Sequence, residues 1–359
     1  MNKKPLYILF ITIIFSTCYH AQSDFDKFPF LVLDANKIEN SRSLEKLFNE
    51  KFKSDSTGSQ LKIFIIGDSH VSSGEIAGSL NAELAKRFGD GGTSYLTLNK
   101  SFPSSIGQSP LKISSSSDDV NGFTLLSNTT SDKLSIRDMS GDDVEILSSQ
   151  INKNRTIQVK FSNGLSSFYI SSVKNVPPIH SKGIITTTAK GGVTTTWYGS
   201  IGASLLSYNV QMNYIYPFIE AFDPDILIVN LGTNDCTGPN FNLQYVSVEY
   251  EKLILKLKKN APKASFLLIS PPDFFGYSSG RYENNKMTSV MKEGITKLSL
   301  KHDLAVWDLK AVMGGDSSMV KWVKADIGSK DYIHFTTDGQ KLIGKLLAKA
   351  IIDLFKEDQ

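Results

Sequence analysis

The sequence predicts an α/β protein whose parallel sheet is covered by helices on both faces and whose chain carries a β-sandwich as an insertion. Four or five short apolar runs alternate with amphipathic helical stretches in two segments, and this alternation is typical of a parallel sheet. From about residue 97 to 187 the pattern changes: serine, threonine, asparagine and aspartate are abundant, and short alternating runs replace helical periodicity. We therefore divide the α/β domain into residues 22–96 and 188–359, with the insertion at 97–187.

The first 21 residues have the pattern of a secretory signal peptide. Lys3 and Lys4 precede an apolar run, Leu6 to Phe15, which is too short to span a bilayer, and a polar stretch follows it. We expect cleavage after Ala21 and an exported protein, either periplasmic or extracellular. A lipid anchor on Cys18 is the alternative, although the residues before it are poor for that processing.

The composition of the remaining chain argues against several classes of protein. Loss of Lys3 and Lys4 lowers the formal charge from +3 to +1, and the charges are interspersed, so no nucleic-acid or membrane-surface patch is expected. Cys236 is then the only cysteine, so core packing rather than a disulfide must stabilise the fold. No metal or other cofactor is expected, because the remaining histidines show no paired ligand spacing: His70, His180, His302 and His334.

Three elements are predicted before the insertion. Apolar residues recur at helical spacing over 43–52 and again from about Glu75 to Phe88, so each stretch predicts a helix. Between them an apolar run from Leu61 predicts a buried strand that stops at Gly67, a residue able to take backbone angles closed to other residues. Turn signals then divide the insertion into several strands: Asn121-Gly122, Ser140-Gly141 and Asn163-Gly164.

After the insertion, strands and helices alternate again. Strands are predicted at residues 193–198, 225–231, 265–270 and 305–309, and helices at about 205–222, 250–257 and 285–302. The last helix has the clearest start, because Thr337 and Gln340 form a capping-box pattern before a continuous apolar face. The loop just before this helix carries Asp331 and His334.

Candidate catalytic groups lie at the ends of predicted elements. Ser69 follows the strand that stops at Gly67, and open α/β sheets place their ligands at this end of the strands. A serine hydroxyl is a weak nucleophile at neutral pH and needs a base that a third group orients. His334 and Asp331, three residues apart in a tight loop, can supply both functions.

The tetrahedral intermediate of an ester also needs hydrogen-bond donors where its oxyanion forms. Gly202 offers an unshielded backbone N–H, Asn234 a side-chain amide, and Ser69 its own N–H. Each residue has an ordinary structural alternative, such as a cap glycine, a turn residue or a plain βα turn. Their joint occurrence beyond predicted strands, in one chain order, favours the catalytic interpretation.

This arrangement resembles the SGNH, or GDSL-type, hydrolase superfamily. The blocks that match are Gly67-Asp68-Ser69, Gly202 within residues 199–203, Gly232-Thr233-Asn234-Asp235, and Asp331 with His334. The resemblance implies a flavodoxin-like three-layer sandwich and a carboxylic ester hydrolase.

The resemblance also implies a role for each site residue. Ser69 would be the nucleophile, His334 the general base and acid, and Asp331 the group that orients His334. The oxyanion hole would consist of the Ser69 N–H, the Gly202 N–H and the Asn234 amide.

His70 is the informative departure, because a leucine usually follows the serine in this superfamily. With the export signal and the insertion between the first two blocks, it makes the chain resemble the peptidoglycan O-acetylesterase branch, whose insertion resembles a carbohydrate-binding module. The implied partner is an acetylated glycan. We expect His70 to pack on the first helical turn rather than to act in catalysis. The insertion either binds carbohydrate, with Phe161, Phe168 and Tyr169 as its aromatic residues, or is an inert spacer.

Other functions compatible with these residues are an esterase of other acetylated polysaccharides and a carbohydrate O-acetyltransferase, in which a sugar hydroxyl replaces water. The alternative from another class is a glycan-binding protein whose hydrolase fold has lost activity. The presence of Ser69, Asp331 and His334 argues against that last alternative.

Overall fold

The computed structural model describes residues 24–52, 59–98, 100–127, 133–151, 156–237, 241–278 and 281–355. The predicted signal peptide, including Cys18 and Ala21, lies outside these residues. Within them, every helix is too short or too polar to span a lipid bilayer.

The described residues of the first segment of the α/β domain form a short 3-10 turn (Leu33–Ala35), two strands and three α-helices. The strands and α-helices are β1 (Ile38–Glu39), α1 (Arg42–Phe52), β2 (Gln60–Gly67), α2 (Ser69–Ser72) and α3 (Glu75–Phe88). The structure thus places α1, β2 and α3 where the apolar periodicity predicts them.

A β-rich region follows. Its strands are β3 (Ser94–Leu96), β4 (Ser105–Ile106), β5 (Leu111–Ser114), β6 (Val120–Ser127), β7 (Leu134–Arg137), β8 (Ile146–Ile151), β9 (Thr156–Leu165), β10 (Ser167–Ser172) and β11 (Ile179–Thr188). A three-stranded sheet has the order β5-β10-β7, and a larger sheet has the order β3-β11-β6-β9-β8, with β4 paired to β11.

Neighbouring residues of the larger sheet face opposite sides. Leu125 and Ile184 belong to a core that the larger sheet shares with the three-stranded sheet, whereas Leu126 and Ile185 belong to the core of the α/β domain. Two sheets that enclose one core form a sandwich. The predicted β-sandwich is therefore confirmed, and its larger sheet also packs against the α/β domain.

The second segment returns to alternating strands and helices. Its elements are β12 (Gly192–Gly199), α4 (Leu205–Val210), α5 (Tyr216–Phe222), β13 (Ile226–Asn230), α6 (Leu243–Asn260), β14 (Ser265–Ile269), β15 (Phe275–Ser278), β16 (Arg281–Asn284), α7 (Met287–His302), β17 (Ala305–Trp307), α8 (Leu309–Met313), α9 (Ser318–Lys324) and α10 (Thr337–Ile352). β15 and β16 form a separate antiparallel hairpin.

The main sheet has the strand order β1-β17-β14-β13-β2-β12. Its strands pair in parallel except for β1, which is antiparallel to β17. Along β2, Ile63 and Ile65 face the core formed with α1, α3 and α10, whereas Phe64 and Ile66 face the core formed with α4, α6 and α7. The fold is therefore the predicted three-layer α/β sandwich with a parallel sheet covered on both faces.

The predicted helix over 205–222 is wrong as one continuous element. α4 ends at Val210, a short 3-10 turn follows, and α5 starts again with Pro217 in its first turn. Proline lacks the N–H that a helix interior needs, but it is tolerated in the first turn. Because α5 is a new helix, Pro217 lies in a first turn, where proline is tolerated. One long helix would have placed it in the interior.

Two local predictions are also corrected. Thr336, not Thr337, caps α10, because its hydroxyl accepts a hydrogen bond from Gly339 N at 3.3 Å. Asn121-Gly122 lies inside β6 and Asn163-Gly164 inside β9, so neither is at a turn, and Asn121-Gly122 is next to a register shift between β6 and β9. A Cβ atom on Gly122 would lie 2.4 Å from the carbonyl oxygen of Val159, so this glycine permits close strand contact.

Candidate active site

The turn that carries Ser69 begins where β2 ends. Gly67 is the last residue of β2, and a Cβ atom there would lie 2.4 Å from Val71 Cγ2 and 2.7 Å from the carbonyl oxygen of Asn230. Lack of space therefore requires a glycine. The prediction that Gly67 takes backbone angles closed to other residues is wrong, because Gly67 does not have a positive φ. Ser69 follows as the first residue of α2, half-buried at the carboxyl end of the strand.

Three of the predicted site residues form one chain of hydrogen bonds. Ser69 Oγ lies 2.9 Å from His334 Nε2, and His334 Nδ1 lies 2.7 Å from Asp331 Oδ2. The side chains of His334 and Asp331 remain 41% and 46% exposed, so the site is open to solvent. This arrangement lets a base accept the serine proton while a carboxylate holds its other nitrogen.

The Asp331 carboxylate also organises the loop around it. Its Oδ1 accepts hydrogen bonds from the backbone N–H groups of Ile333, at 2.9 Å, and His334, at 3.0 Å. Partial burial opposes ionisation, but these bonds and the one from the His334 ring outweigh it and lower the pKa of Asp331. Asp331 therefore stays ionised beside the imidazole.

The loop is anchored on both sides of His334. The carbonyl oxygen of His334 accepts a hydrogen bond of 2.8 Å from Ser329 N, and the next residue, Phe335, is buried against Trp322. Thr336 then caps α10. The backbone of His334 is thus held by the hydrogen bond from Ser329 and by the buried side chain of Phe335. Both restrict the position of the His334 ring.

The predicted oxyanion-hole residues come from three separate turns. As the first residue of α2, Ser69 has an N–H without a carbonyl partner inside its helix. Gly202 is exposed, has a φ of +73° and would have no neighbour within 4 Å of a Cβ atom. The Asn234 side chain donates to the carbonyl oxygen of Ala203 at 2.9 Å, next to Gly202. Ser200 N donates to the Gly67 carbonyl oxygen at 3.0 Å, which joins the Gly202 turn to the serine turn.

Asp235 is a supporting residue whose contacts the sequence did not predict. Its two carboxylate oxygens accept from Leu205 N, at 3.2 and 3.3 Å, at the start of α4. Burial raises the pKa of Asp235 to about 6 against the opposing backbone hydrogen bonds. The side chain therefore links the Asn234 turn to the helix that follows Gly202.

His70 is buried as expected, but sequence reasoning missed its hydrogen bonds. Its Nδ1 lies 2.8 Å from Asp68 Oδ1, and its Nε2 lies 3.1 Å from the carbonyl oxygen of Ile333. Burial favours the neutral ring, but the Asp68 carboxylate and these bonds outweigh it and raise the pKa of His70. The two-residue spacing of Asp68 and His70 could have predicted their contact from the sequence. The contact between His70 and Ile333 joins distant parts of the chain, so no local pattern could have predicted it.

Within the described residues, no group of three or more histidine, cysteine, aspartate or glutamate side chains could hold a metal ion. The chemistry available at the site is that of the hydroxyl, imidazole, carboxylate and amide groups named above.

The fold and the site together define a class of protein. Residues 185–342 match the model of the GDSL-like lipase/acylhydrolase family, a range that includes Gly202, Asn234, Asp331 and His334. No curated protein sequence matches the chain. This match supports an SGNH (GDSL-type) carboxylic ester hydrolase, as the sequence motifs predict.

Among solved structures, the chain is similar to a peptidoglycan O-acetylesterase over 88% of its own length and 97% of that chain, with a TM-score of 0.65 and 17% identity. It is also similar to an acetyl xylan esterase, over 45% of this chain and 81% of that one, with a TM-score of 0.34 and 17% identity. A GDSL-like lipase from Bacteroides thetaiotaomicron covers 44% of this chain and 76% of its own, with a TM-score of 0.35 and 18% identity. At 17% identity, the likeness to the peptidoglycan O-acetylesterase concerns the fold alone.

Proposed function

We propose that this esterase removes O-acetyl groups from a cell-envelope carbohydrate, with peptidoglycan as the substrate, through a Ser-His-Asp triad and an acetyl-enzyme. The observation that carries the proposal is the 2.9 Å contact between Ser69 Oγ and His334 Nε2, continued by the 2.7 Å contact to Asp331. The similarity to a peptidoglycan O-acetylesterase over nearly the whole chain supports the choice of substrate.

In the first half of the proposed reaction, Ser69 Oγ attacks the carbonyl carbon of the acetyl ester while His334 Nε2 takes the hydroxyl proton. Asp331 stabilises the imidazolium that forms. The resulting oxyanion accepts hydrogen bonds from Ser69 N–H, Gly202 N–H and the Asn234 amide. When the tetrahedral intermediate collapses, the C–O bond to the sugar breaks and His334 donates its proton to the departing sugar oxygen.

In the second half, a water molecule attacks the acetyl-enzyme while His334 accepts one of its protons. A second oxyanion forms at the same donors, and its collapse breaks the bond to Ser69 Oγ, which regains its proton from His334. The products are acetate and the deacetylated sugar. An acetyltransferase would differ only in this half, because a sugar hydroxyl would replace the water.

We further propose that the β-sandwich helps to bind the glycan polymer. Phe161 and Phe168, two of the aromatic residues expected to contact sugar, are buried in the core of the sandwich, so they cannot do so. Tyr169 instead lies beside Arg137 in a surface cleft of about 380 Å³, lined mainly by polar residues of β7 and β10. Such a mixture of one aromatic face and several polar groups is suited to a sugar ring.

The deciding experiment is acetate release by the purified protein from O-acetylated peptidoglycan and, in parallel, from acetylated xylan. Peptidoglycan treated beforehand with mild alkali, which lacks acetyl esters, is the control for background acetate. Preference for peptidoglycan supports the proposal, and preference for xylan assigns the other esterase function. Acetate release that falls when an acceptor sugar is added, with acetylated acceptor as the new product, assigns the transferase. Absence of turnover on every acetyl ester would leave only glycan binding.

We also propose that the protein is exported with cleavage after Ala21. Mass spectrometry of the protein from the producing cells tests this directly. A mature chain that starts at Gln22 is expected. A diacylglycerol-modified chain that starts at Cys18 would establish the lipid-anchored alternative.

A further inference from the structure

His70 contacts the two loops that meet at the proposed catalytic centre. It follows Ser69 in α2, its side chain is 3% exposed, and both of its ring nitrogens have partners. A carbonyl oxygen can only accept, so the contact with Ile333 requires a hydrogen on His70 Nε2. Asp68 Oδ1, which also accepts from His70 N at 3.0 Å, holds the ring through Nδ1.

The Ile333 carbonyl belongs to the same peptide group as the backbone nitrogen of His334. That nitrogen donates to Asp331 Oδ1 at 3.0 Å, while the carbonyl accepts from His70. The peptide plane that leads into His334 is therefore held from its two opposite edges. Loss of either bond would free this plane to rotate and would move the His334 ring with it.

The two imidazole rings are also in contact. The ring centroids of His70 and His334 lie 5.3 Å apart, with 30° between the ring planes. The His70 ring also packs against the Phe335 ring, with 5.6 Å between the ring centroids. The position of His70 is therefore fixed by packing as well as by the bond to Asp68. Because the His70 ring is fixed in position, its contact with the His334 ring limits how far His334, the proposed base for Ser69, can tilt.

We propose that His70, held by Asp68, is a positioning residue that fixes the Ile333–His334 peptide and so keeps His334 Nε2 directed at Ser69. The inference rests on the proposed function, because it assigns His70 an effect that acts through His334. It differs from simple packing, since packing alone would not depend on which ring nitrogen keeps its partner.

The test uses two amide substitutions that separate the two hydrogen bonds. In His70→Asn the amide lies near the former Nδ1 and can reach Asp68 but not Ile333. In His70→Gln the longer side chain can place its amide N–H near the former Nε2 and keep the Ile333 bond. We expect His70→Asn to lower kcat on a small acetyl ester by roughly ten- to a hundredfold with little change in KM, and His70→Gln to recover most of that loss. His180→Asn, which changes an exposed histidine of β11, is the matched control.

Coupling to His334 supplies a readout that a merely structural role would not move. In a His334→Ala background, the addition of His70→Asn should leave the residual rate unchanged within about twofold, because the residue through which His70 acts is gone. Melting temperatures and circular dichroism spectra would show whether each variant is folded to the same extent, so that its rate can be corrected for folded protein. Equal losses from His70→Asn with and without His334 would overturn the inference.

The outcomes for the inference and the proposed function are distinct. If Ser69→Ala keeps its activity, the triad itself is wrong. If Ser69→Ala is inactive but His70→Asn behaves like His180→Asn, the triad stands and the positioning role is wrong. Equal effects of His70→Asn and His70→Gln would also overturn it, because the Ile333 bond would then not matter.

Discussion

The side-chain amide of Asn234 donates a hydrogen bond of 2.9 Å to the carbonyl oxygen of Ala203. This contact joins the turn after β13 to the turn that carries Gly202, and it orients the amide. An NH2 group has two hydrogens, so one remains to meet an oxyanion. The two proposed oxyanion donors are therefore fixed relative to each other before substrate binds.

From this relationship we expect Asn234→Ala to lower kcat by roughly a hundredfold or more with little change in KM, because the amide bonds the oxyanion more strongly than the ground-state carbonyl. Steady-state kinetics on a small acetyl ester measures both constants. A change in KM alone would instead make Asn234 a substrate-binding residue. The melting temperature must also be compared, since the lost bond to Ala203 contributes to the fold.

Ser69→Ala should abolish esterase activity while leaving the fold intact. The change removes the attacking oxygen and little volume, and any catalysis that remains should be weaker by about a thousandfold or more. Acetyl-ester turnover and the circular dichroism spectrum of the variant provide the check. Turnover within tenfold of the unsubstituted protein would exclude Ser69 as the nucleophile.

Local sequence patterns predicted the main elements of the fold and the candidate triad for physical reasons. The strand that ends at Gly67 is a continuous apolar run, and Asp331 and His334 are close enough in sequence for a loop to bring them together. The contact between His70 and Ile333 spans 263 residues, so no local pattern contains it. Likewise, adjacent Thr336 and Thr337 can both cap a helix, and only the three-dimensional path of the loop selects Thr336.

In the β-rich region, the sequence predicted strands but not which face of each strand is buried. The alternating runs around Phe168 and Tyr169 predicted a strand, but alternation alone did not tell which face is covered by the second sheet. Phe168 faces the core and Tyr169 lines the surface cleft. The choice between them depends on sheet pairing that the sequence does not specify.

Tyr169→Ala should impair turnover of O-acetylated peptidoglycan by roughly tenfold and leave a small acetyl ester unaffected within about twofold, if the cleft holds a sugar ring by stacking. Tyr245→Ala, at an exposed tyrosine of α6, is the matched control. The ratio of polymer to small-ester kcat/KM is the quantity to compare. Equal proportional loss on both substrates, at an unchanged melting temperature, would reject the docking role of this cleft.

Asp235→Asn should raise stability at neutral pH and have little effect near pH 4. Burial raises the pKa of Asp235 from 3.8 to about 6, so between these values the folded state binds more protons than the unfolded state. Stability is therefore lost as the pH rises through this window, and a neutral amide that still accepts from Leu205 avoids the loss. The gain at pH 8 should be at most about 3 kcal/mol. Urea unfolding at both pH values measures it, and an equal gain at pH 4 would contradict the mechanism.

Residues Ser69 and His334 are separated by 265 positions in the chain, so α10, the helix that anchors the histidine, is synthesised long after the segment that carries the serine. α3 packs closely on this helix, since a Cβ atom on Gly344 would lie 2.7 Å from the carbonyl oxygen of Ile76. During synthesis, Ser69 and the apolar face of α3 that packs on α10 are therefore made before α10, and that face is exposed until α10 is made. On the proposed mechanism, a copy that terminates before His334 therefore lacks the base for Ser69 and also leaves the apolar face of α3 exposed to solvent.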